Sequence, residues 1–161
     1  MTTKEYNISV DTYADGVYRF VLKNIKNEDK AKDIIQDTFE KLWIKSETVS
    51  YSKVKSYIFT TAYHTMIDYI RKDKKQSAIS DNDEIKHHHN KHYTDLSDIL
   101  EEAIDLLPAI QKSVVLLRDY EGYSYKEIAN VTKLNESQVK VYIFRARRFL
   151  KNYIGAIETV I

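Results

Sequence analysis

Apolar residues recur three and four positions apart along most of this chain, the spacing of helices that bury one stripe. From Ser9 to Ile25 the stripe is Val10, Tyr13, Val17, Phe20 or Val21, and Ile25. Gly16 lies inside that segment, where it either weakens the helix or lets another element approach closely. Asn27 is placed to cap a second helix, whose inner stripe is Ala31, Ile34 or Ile35, Thr38 or Phe39, Leu42 and Trp43. A polar loop, 46–52, leads to a long helix from Lys53 to about Lys74, with Val54, Ile58, Ala62, Met66 and Tyr69 or Ile70 inward. Periodicity is lost from Gln76 to about Thr94, which reads as a flexible linker. It returns from Leu96 to Leu107, with Leu96, Ile99 or Leu100, Ala103 and Leu107 on one stripe. Pro108 suits the first position of the next helix, which runs to about Glu121, and Gly122 suits its end.

The most informative stretch follows. Ser124-x-x-Glu127 is a capping box, and Asn135 with Gln138 repeats the arrangement eleven residues later. Two short helices joined by a tight turn are therefore expected. The second buries Val139, Tyr142 or Ile143, Ala146, and Phe149 or Leu150. Its other side carries Ser137, Gln138, Lys140, Val141, Phe144, Arg145 and Arg148, with Arg147 beside them. Donors for base edges, apolar groups for thymine methyls and guanidiniums for phosphates on one face define a DNA-binding helix-turn-helix. A helical hairpin with a basic surface is the plainer account of the same residues.

Composition narrows the class. Three glycines and one proline in 161 residues argue against a turn-rich β fold, and 43% hydrophobic content argues against wholesale disorder. The expectation is an all-α chain of two small helical bundles joined by a linker: residues 1–75, 76–95 and 96–161. The net charge of +1 would not suggest nucleic acid, but its distribution does. Acidic residues gather in 28–40 and 95–105, basic ones in 71–75 and 140–151. There is no cysteine, hence no disulfide and no thiolate metal site. The N-terminus lacks a basic-then-apolar signal pattern and no apolar run reaches spanning length, so a cytoplasmic protein without membrane insertion is expected.

Two further faces bear on chemistry. Asp33, Gln36, Asp37 and Glu40 fall at i, i+3, i+4 and i+7, an acidic strip on the second helix that an ordinary solvated face would also show. The long third helix carries Tyr57, Phe59, Tyr63, His64 and Tyr69 ahead of the basic run RKDKK. Aromatic rings beside cations suit unpaired bases, and rings filling a bundle account for them equally. The HHHNKH run, 87–92, offers imidazoles without a fixed acid nearby, so no metal and no cofactor are expected.

Taken together, DIIQDTFEKLW, VKSYIFTTAYHTMIDYIRK and LPAIQKSVVLLRDYEGYSYKEIANVTKLNESQVKVYIFRARRFL resemble, in that order, regions 2.2, 2.3–2.4 and 4 of the extracytoplasmic-function sigma factors of the sigma-70 family. The resemblance implies a non-catalytic transcription initiation factor that binds core RNA polymerase, through the clamp helices of its largest subunit and the −35-proximal flap. It implies that Asp33, Gln36, Asp37, Phe39, Glu40 and Trp43 form the polymerase contact. Tyr57, Tyr63, His64, Asp68, Arg71 and Lys72 are implied in recognising and melting the −10 element. Ser137, Gln138, Lys140, Val141, Phe144, Arg145, Arg147 and Arg148 are implied in reading the −35 element. Tyr63 and His64 stand where many relatives have a basic residue and an asparagine, and Tyr57 and Val54 replace a frequent tryptophan and phenylalanine. The resemblance also implies an anti-sigma factor, which is able to hold the chain at the membrane. The alternatives are a dimeric helix-turn-helix regulator that never meets polymerase and, more remotely, a metal hydrolase built on the linker histidines.

Overall fold

The structure, a computed structural model, describes residues 1–80 and 95–160. Among them there is no strand. Helix α1 spans Thr3–Ile25, α2 Glu28–Ile44 and α3 Val54–Ser80, the last entered through a single 3-10 turn at Tyr51–Lys53. Then come α4, Leu96–Asp105; α5, Ala109–Val115; a wider π turn, Leu116–Tyr120; α6, Tyr125–Thr132; and α7, Glu136–Val160. The fold class is all-α, as the periodicity requires.

Local chemistry accounts for most boundaries. Helix α1 starts six residues before the expected Ser9, because Thr2 and Glu5 form a capping box that apolar spacing alone does not reveal. Asn27 caps α2, accepting from the Lys30 amide. Asp95 caps α4, and Pro108 occupies the cap position of α5 rather than its first turn. Gly122 follows the π turn with φ at 75°, a left-handed conformation in which a Cβ would be strained. Helix α3 outruns its expected end by six residues, so 76–80 belong to it; residues 81–94 of the expected linker, with its histidines, lie outside the described residues. The expected tail after Leu150 is a continuation of α7 rather than a separate segment, the helix running on through Gly155 to Val160.

Helices α1, α2 and α3 pack mutually into a front bundle, with Val17, Phe20, Val21, Leu42, Ile58, Ala62 and Met66 at its centre. In the rear bundle α7 lies across α4, α5 and α6 and buries Val139, Ile143 and Ala146. Two expected stripe members are outside. Leu96 is 56% exposed and Trp43 is 49% exposed, because each sits at a helix end whose stripe has rotated past the core.

The two bundles are not apart. Helix α3 packs along α6 and α1 against α5, and one hydrophobic cluster runs through both bundles. Phe59 of α3 is its hinge point, lying 6.0 Å from Phe20 within the front bundle and 5.0 Å from Tyr123 of the rear (ring centroids). Tyr123 is 4% exposed, and its burial pushes the phenol far above the ordinary tyrosine range. Polar ties cross the same seam: Ser113 donates to the Asn24 side chain at 2.9 Å and the Lys112 ammonium to the Asn24 carbonyl at 3.3 Å. Burial holds the Lys112 pKa below the usual lysine value, partly offset by the Asp105 carboxylate.

Candidate polymerase and promoter interfaces

Three surfaces collect the residues singled out by sequence. The first is the outer side of α2. Asp33, Gln36 and Glu40 are exposed and Asp37 is half-buried, paired with Lys41 one turn on at 3.0 Å. Phe39 is buried at 8% exposure, so it supports this face from beneath and does not form it. Trp43 does lie on the surface, set against Tyr6 of α1.

The second surface is a cleft of about 440 Å³ between the end of α2 and the middle of α3. Tyr57, His64 and Asp68 line it, together with Lys41, Ile44, Lys45, Thr60, Thr61 and Thr65. The cations and threonines were missed in the sequence because they carry no aromatic or clustered-charge signal and come from two elements. Ile44, 71% exposed, and Tyr57 supply apolar area on which a ring can lie, while Lys41 and Lys45 supply charge for a phosphate. Tyr63 departs from expectation. It is 6% exposed, its ring set edge-on to His64 at 5.5 Å, and burial raises its phenol pKa. A base cannot stack on it in this conformation, since Tyr63 sits on the core side of α3 beside Ala62 and Met66. Arg71 and Lys72 are exposed farther along α3 and do not line the cleft.

The third surface is the helix-turn-helix. Both capping boxes are present. The Ser124 amide donates to Glu127 at 2.9 Å and the Glu127 amide to the Ser124 hydroxyl at 3.1 Å. Asn135 and Gln138 exchange the same pair of bonds at 3.0 and 2.8 Å. Receiving the Ser124 amide bond holds the Glu127 carboxyl below its usual pKa, with Lys55 helping. Lys133 between the helices takes a left-handed conformation, φ 65°, and closes the turn.

On α7 the face opposite the core is open. Val141 is 45% and Phe144 64% exposed, with Ser137, Gln138, Lys140, Arg145 and Arg148 also on the surface. A broad depression of about 710 Å³ runs along this face, floored by Tyr125, Val141, Ile143 and Phe144 and edged by Lys140, Arg147, Arg148 and Lys151. Arg118 stacks on the Tyr125 ring at 4.6 Å, bracing that floor from behind. Two residues are committed within the fold. The Gln138 oxygen is taken by the cap, leaving its NH2 group for an acceptor. Arg147 is forked onto Asp119, with its Nε at 3.2 Å, and that pairing raises its pKa. Among the described residues no group of three or more histidines, aspartates or glutamates is placed to hold a metal, and no helix is long and apolar enough to cross a membrane.

An all-helical chain with an acidic face, a basic–aromatic cleft and a helix-turn-helix, in that order, has the layout of a promoter-recognition factor. The family model Sigma-70 region 2 matches residues 10–76, and Sigma-70, region 4 matches residues 97–150. Among similar proteins is the ECF RNA polymerase sigma factor SigM of Bacillus subtilis, 32% identical over 144 residues, 86% of this chain and 88% of SigM. SigV of the same organism is 32% identical over 154 residues, 93% of this chain and 92% of SigV. The chain belongs to the extracytoplasmic-function sigma factors of the sigma-70 family, and it directs core RNA polymerase to promoters for transcription initiation. The fold agrees with that of the sigma factor RpoE from Bartonella quintana, solved with the anti-sigma factor NepR: TM-score 0.79 at 22% identity, over 95% of this chain and 98% of that one. CnrH, solved with the cytosolic domain of CnrY, gives 0.71 at 18% identity, over 96% and 90%.

Proposed function

We propose the following division of work. The front unit, residues 1–75, docks on core polymerase by the acidic side of α2, with Asp33, Gln36, Asp37 and Glu40 as charged contacts and Trp43 as the apolar one. Phe39 acts by supporting them. The α2–α3 cleft receives an unpaired −10 base against Tyr57 and His64, within reach of Lys41, Lys45 and Asp68. Arg71 and Lys72 hold the strand beyond it, and Tyr63 backs His64 from the core. Residues 76–95 connect this unit to residues 96–161, whose α7 enters the major groove at the −35 element.

The open apolar–basic face of α7 carries this reading. A solvated helix has no reason to expose Val141 and Phe144 side by side, whereas major-groove thymine methyls give both a partner. The chain performs no chemistry of its own, needs no metal or cofactor, and works in the cytoplasm. An anti-sigma factor is its proposed regulator, since RpoE, which shares this fold, was solved bound to one. Run-off transcription with purified core enzyme on a genomic fragment library tests the whole scheme. New start sites that appear only with this protein support it, and none at all would refute it.

A further inference from the structure

The π turn between α5 and α6 holds both helices of the helix-turn-helix with two neighbouring side chains. Leu116 and Leu117 bury it in the core, and the Glu121 amide closes it onto the Leu116 carbonyl at 3.1 Å. Arg118 turns toward α6: it donates to the Tyr123 carbonyl at 2.9 Å and stacks on the Tyr125 ring at 4.6 Å. Asp119 turns toward α7, where its two carboxylate oxygens accept from Nε and Nη2 of Arg147. Glu121, the other carboxylate at this turn, is forked onto Arg19 of α1 in the notch left by Gly16, and so does not compete for Arg147. Lys140, Phe144, Arg147 and Lys151 fall at i, i+4, i+7 and i+11, so the Asp119 fork grips one edge of the face that α7 leaves open.

Electrostatics alone would not put a carboxylate there. Asp119 pairs with a cation at the rim of the groove, where its charge repels phosphates and cancels one of the groove's own arginines. Nor does stability explain it, since both side chains are well exposed, Arg147 by 48% and Asp119 by 36%, and such pairs add little. What the pair supplies is direction. The buried stripe of Val139, Ile143 and Ala146 decides which side of α7 faces inward, but apolar contact is non-directional. A two-pronged guanidinium–carboxylate contact is planar and fixes an angle. We propose that Asp119 is a positioning residue for promoter reading: it withdraws Arg147 from the DNA-contacting set and uses it to fix the roll of α7, so that Phe144 and Arg145 approach the bases at one set angle. This assignment rests on the −35 reading proposed above. Hydrogen bonds to base edges weaken steeply with angle, whereas phosphate contacts carry no sequence information. Losing the fork should therefore cost discrimination between sequences rather than affinity for DNA in general.

The test uses holoenzyme assembled from core polymerase and the full-length chain, bound over a range of salt to two duplexes. One is a genomic fragment on which the native chain starts transcripts; the other is the same fragment with its −35 element scrambled. The ratio of the two affinities measures discrimination at −35. Asp119→Asn should lower that ratio about tenfold, the worth of one misaligned base contact. Its affinity for the scrambled fragment should hold or rise, because a negative charge has gone. Arg147→Gln should lower the ratio to the same degree, the double variant no further, and Asp119→Glu should recover most of it. The fraction of holoenzyme that binds at saturating DNA should stay full, since the fork orients a folded helix. A reduced binding fraction with an unchanged ratio would make the pair merely structural and overturn the assignment. Losses that add in the double variant overturn it too. So does an Arg147→Gln enzyme that weakens on both fragments alike and flattens the salt slope by about 0.9, which would return Arg147 to a phosphate. A native holoenzyme that starts no transcript, or does not separate the two fragments, defeats the −35 reading and this assignment with it; separation that survives Asp119→Asn defeats this assignment alone.

Discussion

Trp43 meets Tyr6 edge to face, with ring centroids 5.0 Å apart and planes inclined at 69°. The Tyr6 hydroxyl donates to the Phe39 carbonyl at 3.0 Å, so α1 sets the attitude of a half-exposed indole beside the acidic strip of α2. A pre-positioned tryptophan at the rim of a charged face is a good anchor for a protein partner. Trp43→Ala should weaken capture of core polymerase by about 2 kcal/mol or more. Asp33→Lys with Asp37→Lys should abolish capture while leaving helicity unchanged. Competition binding to core enzyme reads both, and undiminished affinity in either variant removes α2 from the interface.

The cleft makes a prediction that separates opening from binding. Replacing Tyr57 and His64 together with alanine should cost about 1–3 kcal/mol for each base that stacks there. Permanganate reactivity of the −10 region should drop while gel-shift affinity for duplex promoter changes little. Tyr63→Ala should behave differently and lower global stability, because its ring is part of the core. Equal losses of duplex affinity and opening in the Tyr57, His64 variant would count against the cleft.

On α7, Arg145→Ala should cost about 1–3 kcal/mol at one position of the −35 element if it forks onto a guanine. Phe144→Ala should erase a preference for thymine over uracil, since only the methyl group distinguishes them. Binding measured over a panel of single-position variants of the element decides. A uniform loss across all sequences would reassign Arg145 to the phosphate backbone.

The α6 capping box gives a pH signature. Because Glu127 has a lowered pKa in the fold, its stabilising contribution is full above the unfolded glutamate value of about 4.3 and is lost as pH falls through the lower folded value. Glu127→Gln preserves the bond from the Ser124 amide but does not titrate. The stability of the native chain relative to this variant should therefore shrink as pH drops below about 4. Urea unfolding of both proteins at neutral and acid pH tests it; a difference independent of pH would show that the carboxylate charge contributes nothing there.

Periodicity and caps made the helices legible in the sequence, because both are local. The Ser124–Glu127 and Asn135–Gln138 boxes, the buried Val139, Ile143 and Ala146, and the exposed opposite face of α7 all follow from residues within a turn or two of one another. The order of three motifs was enough to indicate the family, since motif order is also a property of the chain alone. Tertiary packing decided what depends on distant partners. Tyr63 and Tyr57 look alike in the sequence, but one lies in the core and the other lines the cleft, because they fall on different sides of α3. Lys41 and Lys45 joined that cleft only because α2 ends beside α3. Nothing near Arg19 announces Glu121, which lies 102 residues away and is reached through the notch at Gly16. A fork between two such positions exists only once two bundles have met, so no local pattern can encode its presence.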